Sequence, residues 1–587
     1  MTRMREVDVV LVGFGWTASI MAQELTDAGL SVLALERGAW RDTVPDFATT
    51  HIQDELRYAV RHGLFERPAR ETLTFRNSAG QTALPMRHLG SFFPAAGVGG
   101  AGVHWNGQTW RFLPSDFRLR SHVEQRYGRG FVPEGMTIQD WGVTYDDLEP
   151  HYDRFEYLCG VSGLAGNVGG TVRAGGNPFE GARSREYPLP PLERSFGAAK
   201  FDAAAKEAGF RPFPCPAANT SQPYRNPLGV QMGQCTYCGY CEWFACGNNS
   251  KASPQSTILP VLLRKANFAL RTGCDVLKVD LDASGRHATG VTYADPKGER
   301  VEQPARLVVL CAFAQHNVHL LLLSRIGAPY DPQTGQGVVG RNYAYQITSS
   351  VDVFQDDLTN PFMGAGALGQ AIDEFNGDNF DHGPLNFIGG GYIALWTTGG
   401  RPILQQTALP EGTPTWGGEW KAARAENYAR VLKIATHGSV TSWRDAWLDL
   451  DPTYRDSYGN PLLRMTFDFH DNELRMSRFL TDKAALIARA MKPRSIKVNY
   501  RKGPYSIVPY QTTHNTGGAA MGDDPKTSVV NRYLQCWDVP NVFVLGSSVF
   551  PQNAGYNPTG TVGALAYWAA DAIRTRYLKQ PGPLVPA

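Results

Sequence analysis

The chain enters an apolar run at Val7 to Val12 (Val-Asp-Val-Val-Leu-Val), whose near-continuous β-branched character predicts a parallel strand buried on both faces. From Ala18 to Ala28 the spacing turns helical, with apolar residues at Ile20, Met21, Leu25 and Ala28. A second strand is predicted from Ser31 to Leu35, ending at Glu36. Much later Val542 to Leu545 repeats the buried-strand pattern, and Thr561 to Arg574 the helical one. Between them, Thr436 to Leu448 and Leu462 to Phe469 read as strands. The turn signals Asp451-Pro452 and Tyr458-Gly459-Asn460-Pro461 then predict an antiparallel sheet. The longest apolar stretch, Leu307 to Leu323, is interrupted by Gln315, His316, Asn317 and His319, so no membrane-spanning helix is expected. Residues 160–190, rich in Gly and Pro, read as a long excursion or lid.

The junction of the first strand and helix carries chemistry. Gly13-Phe14-Gly15-Trp16-Thr17-Ala18 is G-x-G-x-x-A. Gly13 permits the sharp turn, Gly15 lets a pyrophosphate approach the backbone, and Ala18 allows close packing of helix on strand. The helix N-terminus offers free N–H groups to the phosphates. Glu36 falls about 20 positions on, where a carboxylate accepts the adenosine ribose hydroxyls and disfavours a 2′-phosphate. The fingerprint leaves NAD and FAD equally open.

With 587 residues, 42% hydrophobic and 19% charged, the chain is globular and expected to form two or more domains. A net charge of +2 supplies no basic field, so no nucleic-acid partner is expected. No cleavable signal peptide is expected before Val7. Nine cysteines are present, and Cys235, Cys238, Cys241 and Cys246 form C-x2-C-x2-C-x4-C. Such clustering points to metal ligation, and an iron–sulfur cluster is favoured because the first three positions match a bacterial ferredoxin run. Structural zinc is the rival, although its four cysteines usually come as two separated pairs. Disulfides or plain thiols are a third reading, and a zinc-stabilised nucleotide-binding scaffold is the alternative outside enzymes.

Further stretches decide for flavin by resemblance. Glu36-Arg37-Gly38, Gly97-Val98-Gly99-Gly100-Ala101-Gly102-Val103-His104-Trp105-Asn106-Gly107, Val308 to Ala312 with Leu320 to Gly327, Asn541 to Pro551 and Asn557-Pro558-Thr559-Gly560-Thr561 resemble, in order, the motifs of the glucose-methanol-choline (GMC) oxidoreductases. The resemblance implies an α/β fold with a Rossmann-like FAD domain of GMC type, discontinuous over 1–165, 250–340 and 510–587. It implies an antiparallel-sheet substrate domain at 341–509 and an Fe–S-binding insertion at 210–250. FAD would be held by Gly13, Gly15, Ala18, Glu36, Gly99, Gly100, His104, Asn106, Gly546, Asn557 and Thr559. His514, in Thr513-His514-Asn515-Thr516-Gly517-Gly518, aligns with the family's base, and Asn557 with its hydrogen-bonding partner. Neutral imidazole suits removal of a hydroxyl proton near pH 7. His104 followed by Trp105 resembles the segment through which some members bond the flavin 8α carbon; a covalent link is expected, noncovalent packing being the alternative. The cysteine segment resembles that of the cytochrome-linked branch, which oxidises gluconate, 2-ketogluconate, fructose and glucose and carries a [3Fe-4S] cluster. That branch implies a sugar-acid substrate, with gluconate first and 2-ketogluconate, fructose or a polyol as alternatives. It also implies a small export-signal-bearing subunit, a multihaem cytochrome c subunit, and a peripheral place on the periplasmic face of the bacterial inner membrane, with membrane contact only through partners.

Overall fold

The computed structural model describes residues 2–43, 46–47, 64–69, 71–88, 92–396, 407–509 and 511–586. Its first layer is an eight-stranded sheet in the order Phe268–Thr272, Val32–Glu36, Val7–Val12, Arg300–Leu310, Ala288–Ala294, Asp275–Leu281; Thr2–Arg3 and Val542–Val544 also pair with Arg300–Leu310. Val7–Val12 lies between Val32–Glu36 and Arg300–Leu310, parallel to both. Helix Trp16–Asp27 begins two residues before the predicted start, with Gly15 as its N-cap. Val9, Val10, Leu11, Ile20, Met21 and Leu25 are sealed from solvent, which accounts for the apolar run and the helical stripe together. The strand Arg300–Leu310 is divided in its pairing. Its first half runs antiparallel to Ala288–Ala294, and its second half is parallel to Val7–Val12 and Val542–Val544. The apolar stretch Leu307 to Leu323 resolves into the end of this strand and helix Ala314–Ser324. Among the described residues no helix is long and apolar enough to cross a membrane.

The second layer is a six-stranded antiparallel sheet in the order Ser495–Asn499, Ile347–Phe354, Val431–Gly438, Gly391–Trp396, Gly369–Ile372, Phe213–Pro214. Side chains alternate across it. Val351, Val353, Leu432 and Ile434 pack under helices Phe196–Glu207 and Asp471–Ala490, while Thr348, Ser350, Lys433 and His437 line a large cavity. The expected strand at 436–448 is two elements, the end of Val431–Gly438 and the start of Trp447–Arg455, which belong to different sheets. Tyr458-Gly459-Asn460-Pro461 does lead from Trp447–Arg455 into Pro461–Thr466. Asp451-Pro452, however, is no turn between strands. It sits at a register shift within Trp447–Arg455, where a residue lacking an N–H is tolerated, and the Asp451 carboxylate accepts from the amides of Thr453 and Tyr454.

Residues 160–190 are pinned rather than hinged. Arg183 is wholly buried and pairs with Glu156 of helix Tyr145–Cys159, whose other contact is a bidentate one from Arg111 at 2.8 Å on both arms. Removing one partner from such a buried set strands a charge and costs about 3–5 kcal/mol.

Candidate active site and cysteine loop

A cavity of about 1090 Å³ runs between the two sheets. At one end Gly13, with φ of +85°, turns the chain out of its strand and its N–H donates to the Leu35 carbonyl (2.8 Å). The Glu36 carboxylate faces this turn, accepting from the amides of Phe14 (2.9 Å) and Gly38 (2.7 Å), and burial raises its pKa. Ala18 is fully buried against the strand. The second glycine loop meets the first: a Cβ on Gly100 would stand 3.1 Å from the Gly15 Cα. At Gly99, φ is +92° and a Cβ would lie 2.3 Å from Gln255 Oε1. Two bare backbones facing one another at the head of a helix form a cradle for a pyrophosphate and a flat ring.

Deeper in the cavity the same loop presents His104, which is 4% exposed and whose Nε2 has no hydrogen-bond partner among the described residues. Burial and the nearby Lys251 ammonium push its pKa down to about 3, so the ring is neutral. Asn106, Gly546 and Thr559 line the cavity, Thr559 as the first residue of helix Thr559–Ala572. The dinucleotide cradle, the orphaned neutral imidazole and the size of the cavity fit an FAD.

His514 and Asn557 come together as the motifs predict, with Asn557 Nδ2 3.3 Å from His514 Nε2. The side chains that orient them carry no motif. Gln346, fully buried, aims its amide nitrogen at the carbonyls of Ala554, Gly555 and Tyr556 (2.8 Å to Gly555). Its Oε1 therefore faces the two imidazoles, His514 and His437, and each must carry its proton on Nδ1 to donate to it. His514 Nε2 is left with a lone pair. Burial pushes the His514 pKa down to about 3, which keeps it neutral at pH 7. The Tyr392 hydroxyl donates to Asn557 Oδ1 (2.6 Å), turning Nδ2 outward. Gln346, Tyr392 and His437 are read only from the fold, because they lie on strands or strand ends distant in sequence from the glycine and histidine motifs.

The four clustered cysteines line one small cavity of about 10 Å³, and no disulfide joins them. That volume is too small for an iron–sulfur core, and among the described residues no trio of His, Cys, Asp or Glu is arranged to hold a metal ion. What matches such a core is the donor type alone, four cysteine thiols lining one cavity. Burial pushes the Cys241 thiol up to about 11, the nearby Lys251 ammonium opposing it, and burial raises the Cys235 thiol as well.

Two segments match models described as GMC oxidoreductase, residues 189–348 and 447–566, which include Gln346 and both His514 and Asn557. The chain is 52% identical over its whole length to the gluconate 2-dehydrogenase flavoprotein of Pantoea cypripedii, covering 96% of that protein. The chain belongs to the GMC oxidoreductase family. It is thus an FAD-dependent oxidoreductase acting on CH–OH groups, and the scaffold reading falls away. The fructose dehydrogenase large subunit of Gluconobacter japonicus is 26% identical over 96% of this chain and 97% of its own. Among solved GMC-type folds, pyridoxine 4-oxidase from Mesorbium loti superposes with a TM-score of 0.58 at 15% identity, over 97% of this chain and all of that one.

Proposed function

We propose that this GMC oxidoreductase is the flavoprotein subunit of an acceptor-linked sugar-acid dehydrogenase that oxidises D-gluconate at C2. The observation that carries the reading is the oriented pair at the cavity, His514 with its lone pair on Nε2 beside the outward Nδ2 of Asn557. An alcohol seated there gives its hydroxyl proton to His514 Nε2, and its oxygen accepts a hydrogen bond from Asn557 Nδ2. Bound along Gly13, Gly15, Glu36, Gly99, Gly100, Asn106, Gly546 and Thr559, FAD supplies the acceptor for the hydride that leaves the same carbon. The domain division follows the two sheets, with 1–165, 250–340 and 510–587 as the flavin part and 341–509 as the main substrate part.

Arg501 favours an acid over a neutral sugar. It lines the same cavity, its buried Nε–H has no partner among the described residues, and its guanidinium lies 5.1 Å from the Phe469 ring. Burial lowers its pKa, the condition of a cation awaiting an anion such as a substrate carboxylate. Likeness to the Pantoea protein supports the same choice. Cys235, Cys238, Cys241 and Cys246 are the residues that would hold a [3Fe-4S] cluster, through three of their four sulfurs, and such a cluster would pass electrons to a multihaem cytochrome c subunit or quinone. A small signal-bearing subunit carries the chain to the periplasmic face of the inner membrane. His104, neutral and with Nε2 unengaged, is the ring that would bond the flavin 8α carbon, the methyl group giving up a proton and the isoalloxazine itself taking up the two electrons.

A ferricyanide assay over gluconate, 2-ketogluconate, fructose, sorbitol and glucose tests the substrate, with gluconate expected to give the highest kcat/KM. A clear preference for a neutral sugar would assign Arg501 another role. For His104, yellow fluorescence should remain with the acid-denatured polypeptide; complete release into the supernatant would refute the link.

A further inference from the structure

A tyrosine hydroxyl has one proton to give, and Tyr392 faces two side-chain amides. Its oxygen lies 2.6 Å from Asn557 Oδ1 and 2.9 Å from Gln108 Oε1. The oxygen and nitrogen of an amide exchange places by a half-turn, so the hydrogen-bond network decides which atom faces the hydroxyl. That decision is made several contacts away. Gln346 directs its amide hydrogens at main-chain carbonyls, Gly555 at 2.8 Å among them, so its oxygen faces His514 Nδ1 and leaves Nε2 of that ring without a proton. Asn557 must then present its nitrogen to His514 Nε2, at 3.3 Å, and its oxygen to Tyr392. The single hydroxyl proton is thereby committed to Asn557.

Gln108 cannot also accept that proton, and an oxygen held at 2.9 Å would set lone pair against lone pair. Its nitrogen has to face Tyr392 instead. The half-turn removes a second cost, because Gln108 is 1% exposed and, with its oxygen toward Tyr392, its nitrogen has no acceptor among the described residues. Gln108 belongs to the flavin loop, where its main-chain N–H donates to Asn106 Oδ1 (3.0 Å). Tyr392 stands in Gly391–Trp396 of the antiparallel sheet. The series of contacts therefore joins the flavin loop, through the second sheet, to the C-terminal segment that carries Asn557.

We propose that Gln108 is the donor that closes this series, a positioning residue whose amide nitrogen holds the Tyr392 oxygen so that the one hydroxyl proton stays on Asn557. The Asn557 nitrogen is then kept toward the reacting alcohol oxygen. This rests on the reading of His514 and Asn557 as the base and its partner. Gln108 acts through Tyr392 and has no need to touch substrate.

Gln108→Glu separates donation from shape. The new side chain has the same size, but its carboxylate can only accept, so it competes for the Tyr392 proton and lets Asn557 turn its oxygen toward His514. Flavin reduction by the substrate preferred in the ferricyanide assay, followed anaerobically by stopped flow, should slow by about tenfold or more as pH rises and the new carboxyl ionises. Flavin content should stay at the wild-type level. Neither the wild type nor Gln108→Glu combined with Tyr392→Phe should show this alkaline limb. Gln108→Leu, which neither donates nor accepts, should be slowed less than Gln108→Glu at alkaline pH, the reverse of what loss of shape or polarity would give. A glutamate variant as fast as the wild type throughout, or a limb that persists without the Tyr392 hydroxyl, would overturn the proposal. Undiminished turnover in Asn557→Ala would instead overturn the reading of the catalytic pair. Should Gln108→Glu lose its flavin, the cycle of Gln108→Leu, Tyr392→Phe and their double variant decides. With the hydroxyl gone, removing Gln108 should slow the reaction no further, and a double loss equal to the product of the two single losses would overturn the coupling.

Discussion

The surroundings of His514 and those of Cys241 differ in how far the polypeptide alone completes them. Around His514 the orienting groups have assigned neighbours. Gln346 fixes the proton of two imidazoles, Tyr392 fixes Asn557, and the amide of Asn553 holds the His514 carbonyl (3.0 Å). Around Cys241 burial pushes the thiol away from ionisation, and among the described residues the Lys251 ammonium donates to main-chain carbonyls and forms no ion pair with a carboxylate. Three residues of that segment, Tyr237, Trp243 and Asn249, hold left-handed backbone at φ of 53°, 69° and 58°. Each such non-glycine conformation costs on the order of 1–3 kcal/mol and persists only where its surroundings enforce it. The first site is finished by side chains, whereas the second keeps buried thiols and strained backbone that its own side chains do not complete, as the proposed cluster would. Losses in the first should therefore appear as rate, and losses in the second as cofactor content.

The largest effect that would break this contrast lies at the base. His514→Ala should lower kcat by about 10²–10⁴-fold with flavin retained, read by steady-state kinetics and the flavin spectrum. A loss below tenfold would place the base elsewhere. Cys241→Ser should remove most iron and acid-labile sulfide and depress turnover with a one-electron acceptor, yet leave anaerobic bleaching of the flavin by substrate close to the wild-type rate. If bleaching fails as well, the two regions are not separable.

The smallest effect sharpens the picture of His514. Its pKa of about 3 places the acid limb of kcat/KM well below pH 6.5 in the wild type. In Gln346→Glu a carboxylate replaces the amide oxygen, favours the imidazolium and should move that limb upward by about 1–3 pH units. An unmoved limb would mean that Gln346 does not govern the tautomer. The sign for stability follows from the same depression. The neutral imidazole's contribution is full above about pH 6.5, where the unfolded ring is also neutral, and it is lost as pH falls toward 3.

The glycine turn at Gly13, the carboxylate at Glu36 and the pairing of His514 with Asn557 were legible in the sequence because each sits in a compact motif whose spacing is set by local backbone geometry. Gln346 and Tyr392 were not. They reach the site through the antiparallel sheet, where the register of Ile347–Phe354 against Val431–Gly438 sets what faces the cavity, and register leaves no local trace in a polar strand. Asp451-Pro452 was misread for a related reason. A bulge and a turn share residue types, and only the pairing with Pro461–Thr466 distinguishes them. The excursion at 160–190 reads as a lid in sequence because its anchoring side chains pair far along the chain, Arg183 with Glu156 27 positions earlier and Asn177 with Asp373 196 positions later.

The strand Arg300–Leu310 has a consequence for how the protein is made. It receives Val7–Val12 on one side and Val542–Val544 on the other. At translation speeds of about 5–20 residues per second, the second neighbour leaves the ribosome on the order of a minute after the first. Until then the central sheet has an open, apolar edge, and the cradle lacks Gly546, His514 and Asn557. Flavin capture is thus a late, post-translational event, and a nascent chain must be shielded along that edge until its C-terminal strand arrives.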